Sequence, residues 1–252
     1  MRFPRPPVYT WEDPVTDAYR RGRRLPQLKV STQRESEEME LMAKVIVPLG
    51  MSLDGFIAAA NDGFDNPDDG MRLFQWYFDG DTPIRQYQEA ASRGVATNAQ
   101  FALSACSAAV FQDLVDSTGA VVAGRRTYDV SHEWGGNGPI PQLPLFIVTH
   151  RVPDAVPQGE SSYTFVTDGV ESAIKQAKAA AGDKYVSLMG ASVPQQCLRA
   201  GLLDEIQIHL IPTLLGSGTR LFEHLGNRRI ELETIGVVEC PGVTHLRFRV
   251  AK

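Results

Sequence analysis

Cysteine is scarce in this chain: Cys106, Cys197 and Cys240 are the three in 252 residues, widely separated and odd in number. They form neither the dense framework of a small secreted domain nor a Cys-x-x-Cys metal knuckle, so no disulfide and a reducing, cytoplasmic setting are expected. Long apolar runs are missing too. None approaches the roughly 18–20 residues of a membrane span, and no charged start followed by an apolar centre marks an export signal. Nor is there a basic excess: 25 Lys and Arg stand against 30 Asp and Glu, a net charge of −5. That argues against a general nucleic-acid binder while leaving room for a local basic pocket around an anionic ligand. What is present is a chain 43% hydrophobic, enough for a substantial core in one large domain or two small ones.

Residues 1–41 stand apart in composition, with Pro4, Pro6, Pro7 and Pro14, the basic run Arg20 to Arg24 and the acidic run Glu35 to Glu40. They read as a flexible or loosely docked extension, the alternative being a basic arm reaching for a nucleic acid or a partner. The folded domain is expected over 42–252. It opens with an apolar strand at 43–49, which continues through an Asp54-Gly55 turn. Asp62, Asp65, Asp68 and Asp69 follow, without the spacing of a calcium loop, so no metal is assigned. The apolar and aromatic stretch 71–78 predicts a helix or helical turn over a cleft, with Gln75, Trp76 and Tyr77 as packing. Further helices are expected within 83–91 and 99–115.

Three later strands end in groups suited to an anion. The strand at 119–123 runs into Gly124-Arg125-Arg126-Thr127, where glycine permits close backbone approach, two guanidinium groups grip phosphate and Thr127 caps a helix. The strand at 144–149 ends in Thr149-His150-Arg151. The strand at 185–188 gives way to Gly190-Ala191-Ser192-Val193, with Ser192 as a possible cap and Pro194 in the first turn of a helix whose free N–H groups attract phosphate. A second glycine loop, containing Gly216, follows one strand later. Trp134 to Pro139 reads as a flexible loop able to lie over a ligand. A strand and amphipathic helix at 164–181 are scaffold, and 230–238 with 244–250 form a closing strand pair. Alternating strands and helices followed by strands alone imply an α/β protein with a mostly parallel central sheet and a C-terminal antiparallel hairpin.

The segments MSLDGFIA (51–58), VVAGRRTYD (121–129), LFIVTHR (145–151), LMGASVPQQCLRAGLLDE (188–205), PTLLGSGTRLF (212–222) and VTHLRFRV (243–250) resemble, in this order, the dihydrofolate reductase-like superfamily. The resemblance is nearest to stand-alone relatives of the reductase domain of the bacterial riboflavin-biosynthesis deaminase/reductase. It implies a three-layer fold and a reductase using NADPH on a small, pteridine- or pyrimidine-like molecule. On this resemblance Gly124, Arg125, Arg126 and Thr127 meet the phosphate region, Thr149, His150 and Arg151 lie at the adenosine 2′-phosphate, and Gly190, Ala191, Ser192 and Val193 underlie the pyrophosphate. Met51 and Gly216 border the cofactor, and the proton is expected from Asp54, from an acid of the Asp65–Asp79 region or from a bound water, the other role of Asp54 being to stabilise its own turn. The family usually has two glycines where this chain has Met189-Gly190, and a methionine there would narrow the cofactor's approach. The resemblance also implies a homodimer. A true riboflavin-pathway reductase and a cofactor-free binding protein on the same scaffold stand as alternatives. The zinc deaminase signature is absent.

Overall fold

The computed structural model describes residues 43–60, 71–97, 100–227 and 229–252. The extension expected over 1–41 and the aspartates at 62, 65, 68 and 69 lie outside the described residues.

The strands are β1 (Val45–Ser52), β2 (Phe56–Ala58), β3 (Thr118–Gly124), β4 (Leu145–Val148), β5 (Tyr163–Val166), β6 (Tyr185–Met189), β7 (Glu205–Ile211), β8 (Thr219–Arg220), β9 (Leu232–Cys240) and β10 (Val243–Val250). Eight of them form one sheet in the order β5-β4-β3-β6-β1-β7-β10-β9, and β2 pairs with β8. From β5 to β7 the neighbours are parallel, while β10 is antiparallel to both β7 and β9. The hairpin expected at the C-terminus therefore closes an otherwise parallel sheet.

Strand alternation sends successive side chains to opposite faces, and both faces are covered. Val45 and Val47 of β1 join a core with Val186, Leu188, Ile206 and Ile208 beneath the helices α4 (Val170–Ala181) and α5 (Ser192–Ala200). Helix α4 buries Val170, Ala173, Ile174, Ala177 and Ala181, a three-and-four spacing that keeps its charged residues outward. Ile46, between the two valines, faces a second core with Leu73, Trp76, Phe111 and Leu114. That side is covered by α1 (Arg85–Ser92) and α2 (Ala105–Ser117). The short helix α3 (Arg125–Val130) follows β3 directly.

Several expectations change. The stretch 71–78, expected as a helix or helical turn, takes the second form, as two 3-10 turns, Met71–Leu73 and Gln75–Tyr77. Trp76 is buried, stacks on Tyr77 at 4.0 Å and meets the His209 ring in a tilted contact at 4.6 Å. Helix α2 starts only at Ala105, because the Ser104 hydroxyl accepts the Ser107 N–H and caps it there. The loop expected to be free at 134–139 is packed: Trp134 and Asn137 are buried, and the Asn137 amide donates to Ala96 O at 2.8 Å.

The cysteine expectation is overturned. Cys106 at the start of α2 and Cys240 at the end of β9 are disulfide-bonded, with Cα atoms 5.8 Å apart, and Cys197 is buried and free. Spacing of 134 residues hid a pair that only helix-on-sheet packing brings together. With it goes the cysteine argument for a reducing setting. Among the described residues, no helix is long and apolar enough to cross a membrane.

Polar groups are also buried on the second face. Glu205 accepts from Arg247 Nε at 2.9 Å and lies 3.7 Å from Lys44 Nζ. His209 and His245 meet through their Nδ1 atoms at 2.7 Å, and His245 Nε2 lies 3.2 Å from Ser107 Oγ. Only one Nδ1 of that pair can carry the shared proton, and burial pushes both rings well below the ordinary histidine pKa, so both are neutral.

Candidate functional site

All the anion-binding groups anticipated from the sequence sit at the carboxyl ends of parallel strands. Ligands of open α/β sheets bind at that edge, where neighbouring strands diverge. Here the divergence is between β1 and β6. Their parallel register runs only over Val45↔Val186 and Ile46↔Ser187, whereas β1 stays paired with β7 from Ile46↔Glu205 to Ser52↔Ile211. Beyond Ile46 the two strands part and open a crevice with a separate assembly on each side.

On the β6 side, the 124–127 and 190–193 segments touch. Gly190 has φ +77°, and a Cβ built on it would collide with Thr127 Oγ1. A Cβ on Gly124 would come within 3.3 Å of Ser192 Oγ. Gly190 is thus required by its backbone conformation and by the Thr127 side chain, while Gly124 sits close against the Ser192 side chain. Thr127 lies inside α3 and not at its cap, which is Gly124; its hydroxyl faces Gly190. Ser192 likewise opens α5 without capping it: the cap is Ala191, with no side-chain hydrogen bond. The start of α5 therefore presents N–H groups that no side chain of its own satisfies, the arrangement that attracts an anion.

Arg125 braces this wall, donating from Nε to Asp129 Oδ1 at 2.8 Å and from Nη1 to Arg151 O at 3.0 Å. It ties α3 to the turn after β4. In that turn the Thr149 hydroxyl donates to Arg151 O at 2.9 Å, so Thr149 shapes the loop. Arg126, His150 and Arg151 are exposed beside it. Arg151 makes only a loose pair with Asp154 at 3.5 Å, both side chains being more than four-fifths exposed (82% and 92%). Such a pair yields easily to a phosphate. Met189 is partly buried and packs against the core that contains Val121, Tyr128 and Ile147. Its peptide to Gly190 is trans, as are all others among the described residues.

On the β1 side, Met51 packs toward the α4 and α5 face and leads into the Ser52–Gly55 turn. Asp54 is fully engaged there. Its carboxylate accepts the Ser52 hydroxyl at 2.6 Å, the Gly216 N–H at 2.8 Å and the Leu215 N–H at 3.2 Å. The Ser52 bond first, then those from Gly216 and Leu215, hold its pKa at about 2. A group ionised that firmly is no proton donor near neutrality. The bonds it makes are those of a clamp that ties the turn to the loop after β7. Gly216 serves that clamp with φ +74°.

Sequence reasoning missed the rest of the clamp. Ser52 is buried and also accepts the Phe56 N–H at 3.0 Å. Arg220 donates to Asp54 O at 2.7 Å and lies 4.1 Å over the Phe56 ring. Gln195 of α5 donates to Arg220 O and Leu221 O at 3.0 and 3.1 Å, linking the two assemblies from below. A Ser-x-Asp-Gly turn was the available signal for Ser52; nothing local marked the bracing roles of Arg220 and Gln195. Of the other acids considered, Asp65 lies outside the described residues and Asp79 is exposed, accepting from Gln75 at 3.4 Å. Among the described residues, no cluster of three or more His, Cys, Asp or Glu side chains could hold a metal.

A family model described as the RibD C-terminal domain matches residues 43–246. No curated protein matches significantly. Solved structures do. A protein from Shewanella sp. PV-4, described as a riboflavin biosynthesis protein, aligns over 84% of this chain and 100% of its own at 22% identity, with a TM-score of 0.58. RibD from Acinetobacter baumannii aligns at 15% identity and TM-score 0.52 over 84% of this chain but 59% of its own length. A pyrimidine reductase-like protein from Corynebacterium diphtheriae aligns at 12% identity and TM-score 0.50, over 85% and 94% of the two chains. At these identities the likeness is one of fold, the dihydrofolate reductase-like fold expected above.

Proposed function

Because the chain belongs to the RibD C-terminal domain family, we propose that it is an NADPH-dependent reductase acting on a small pteridine- or pyrimidine-like heterocycle. The observation that carries this reading is the crevice where β1 parts from β6, flanked by a glycine-lined, arginine-bearing wall and by a clamped turn. The residues fit the dinucleotide. Gly124, Gly190, Ala191, Ser192 and Val193 offer close backbone approach and uncapped N–H groups for the pyrophosphate, Arg126 and Arg151 offer cations for a 2′-phosphate, and His150 lies between the latter and Thr149 in the same turn. When bound, NADPH supplies hydride, and the protein's part is to bind, orient and exclude water. Met51 and the Asp54-clamped turn hold the reactive end of the slot, and with Asp54 ionised, the proton comes from water at the mouth.

Titration with NADPH and NADH, read by melting temperature and fluorescence, tests this. NADPH at roughly ten times its Kd should stabilise the native state by about 1.4 kcal/mol. Arg126→Ala and Arg151→Ala should weaken NADPH more than NADH. No stabilisation by either cofactor would sink the reading; equal losses would refute the 2′-phosphate assignment alone.

The homodimer implied by the resemblance is also proposed, through β9. This edge strand exposes Leu232, Ile235, Val237 and Val238 and carries no lysine or proline to blunt it. Light scattering that finds a monomer at micromolar concentration would rule it out.

A further inference from the structure

The two sides of the crevice have to be held in fixed relation, because the dinucleotide proposed above rests its pyrophosphate on the start of α5 and its nicotinamide against the turn after β1. A misplacement of about 1 Å between reacting groups costs about a hundredfold in rate. Gln195, the fourth residue of α5, joins the two sides. It is buried, at 7% exposure. Its backbone N–H donates to Ala191 O at 3.0 Å and closes the first turn of the helix on the cap residue. Its side-chain amide nitrogen carries two N–H donors, and both are used: Nε2 donates to Arg220 O at 3.0 Å and to Leu221 O at 3.1 Å.

From those same two residues the bonding continues to the turn. Arg220 Nη1 donates to Asp54 O at 2.7 Å, and Leu221 N–H donates to Gly55 O at 3.3 Å. Each step is therefore made twice, first from α5 to residues 220–221 and then from there to residues 54–55. The pairing of β8 with β2 runs alongside, with Phe56 opposite Arg220 and Ala58 opposite Thr219. The Asp54 carboxylate ties the turn to the loop after β7, whereas Gln195 ties it to α5. The chemistry asks for glutamine. Leucine in its place has no donor, and glutamate offers two carbonyl oxygens only further acceptors, so either change leaves both carbonyls without this partner.

Resting on the reductase reading above, we propose that Gln195 is a positioning residue, which sets the 52–55 turn, and with it the nicotinamide end of the slot, against the phosphate-binding start of α5. It acts through Arg220 and Leu221, since both of its donors are spent on their backbone carbonyls.

The test compares NADPH with 2′-phospho-ADP-ribose, the same dinucleotide without its nicotinamide, on the full-length chain by calorimetry. The wild type should bind NADPH at least about tenfold tighter than the fragment. In Gln195→Leu and Gln195→Glu that preference should fall to within about twofold, while the Kd of the fragment moves by less than about twofold. A side chain with a merely structural role would weaken both compounds alike. Without ligand, hydrogen exchange of the amides of residues 53–58 and of Leu221 should be at least about tenfold faster in Gln195→Leu, with β3 and β4 unchanged. Arg220→Met, at an exposed position, removes the bond to Asp54 O and should show the same selective loss even if the Gln195 variants fold poorly. A wild type that binds both compounds equally, an undiminished preference in the variants, equal weakening of both compounds, or unchanged exchange at residues 53–58 overturns the inference. A wild type that binds neither compound refutes the reductase reading; faster exchange in Gln195→Leu then leaves the positioning of the turn standing, and unchanged exchange refutes that as well. A wild type that prefers NADPH, with variants that keep the preference, refutes this inference alone.

Discussion

Replacing Gly190 by alanine probes the contact on which the cofactor wall depends. Gly190 sits at φ +77°, a conformation that costs an L-residue about 1–2 kcal/mol. Its new Cβ would also collide with Thr127 Oγ1. Crowding a packed site costs about 1–3 kcal/mol, so Gly190→Ala should destabilise by about 2–5 kcal/mol in all. Thr127→Ala removes the colliding oxygen, leaving only the backbone term. In the Thr127→Ala background Gly190→Ala should therefore cost about 1–2 kcal/mol, a coupling of about 1–3 kcal/mol between the two sites. Urea unfolding of the four proteins, followed by tryptophan fluorescence, measures each corner. Additivity within about 0.5 kcal/mol would mean that the two turns do not press together, and the two-walled site would fail with it.

Three further outcomes follow from the packing. Reducing the Cys106–Cys240 disulfide, which closes a 134-residue separation, should lower stability by up to about 5 kcal/mol on the loop-entropy model. A melting temperature unmoved by dithiothreitol, with three thiols rather than one titrating in the unfolded chain without reductant, would contradict this. Arg247→Ala leaves the buried Glu205 carboxylate without its closest cation and should cost about 3–5 kcal/mol, whereas Glu205→Leu with Arg247→Met should recover most of the loss. If the double variant is no better than the single one in urea unfolding, the pair is not the cause. Folded His209 and His245 stay neutral below their ordinary pKa of 6.5, while the unfolded chain protonates both. Stability is then fully present above about pH 7 and falls as pH drops below it, by up to roughly 2–3 kcal/mol per pH unit. Replacing both histidines with asparagine should flatten the profile between about pH 6 and 4; an unchanged slope would refute the assignment.

Much of the molecule is legible along the chain. Apolar runs of strand length, the Asp54-Gly55 turn, the Val170–Ala181 periodicity and the glycines after β3 and β6 each state their local structure, because hydrophobic period and backbone permissiveness are properties of neighbouring residues. Their order was enough to expect a mostly parallel sheet, an antiparallel closing hairpin and anion-binding groups at one edge. The use to which each residue is put was not legible. Asp54 has the local pattern of a candidate acid, and it is an ionised clamp because Leu215 and Gly216, 161 and 162 residues away, direct their N–H groups at it. Thr127 has the look of a helix cap and instead meets Gly190. Cys106 and Cys240 look solitary until α2 is laid on the sheet beside the end of β9. Met189 is an obstacle in the sequence and a core residue in the fold, since strand alternation and the position of α3 turn its side chain toward Tyr128. The crevice itself exists only because β1 keeps its register with β7 after leaving β6. Sequence alone determined which segments are strands, helices and turns, through short-range periodicity and propensity. Only the tertiary structure decided which of those segments face one another, because pairing register and layer packing join groups more than a hundred residues apart that no local pattern couples.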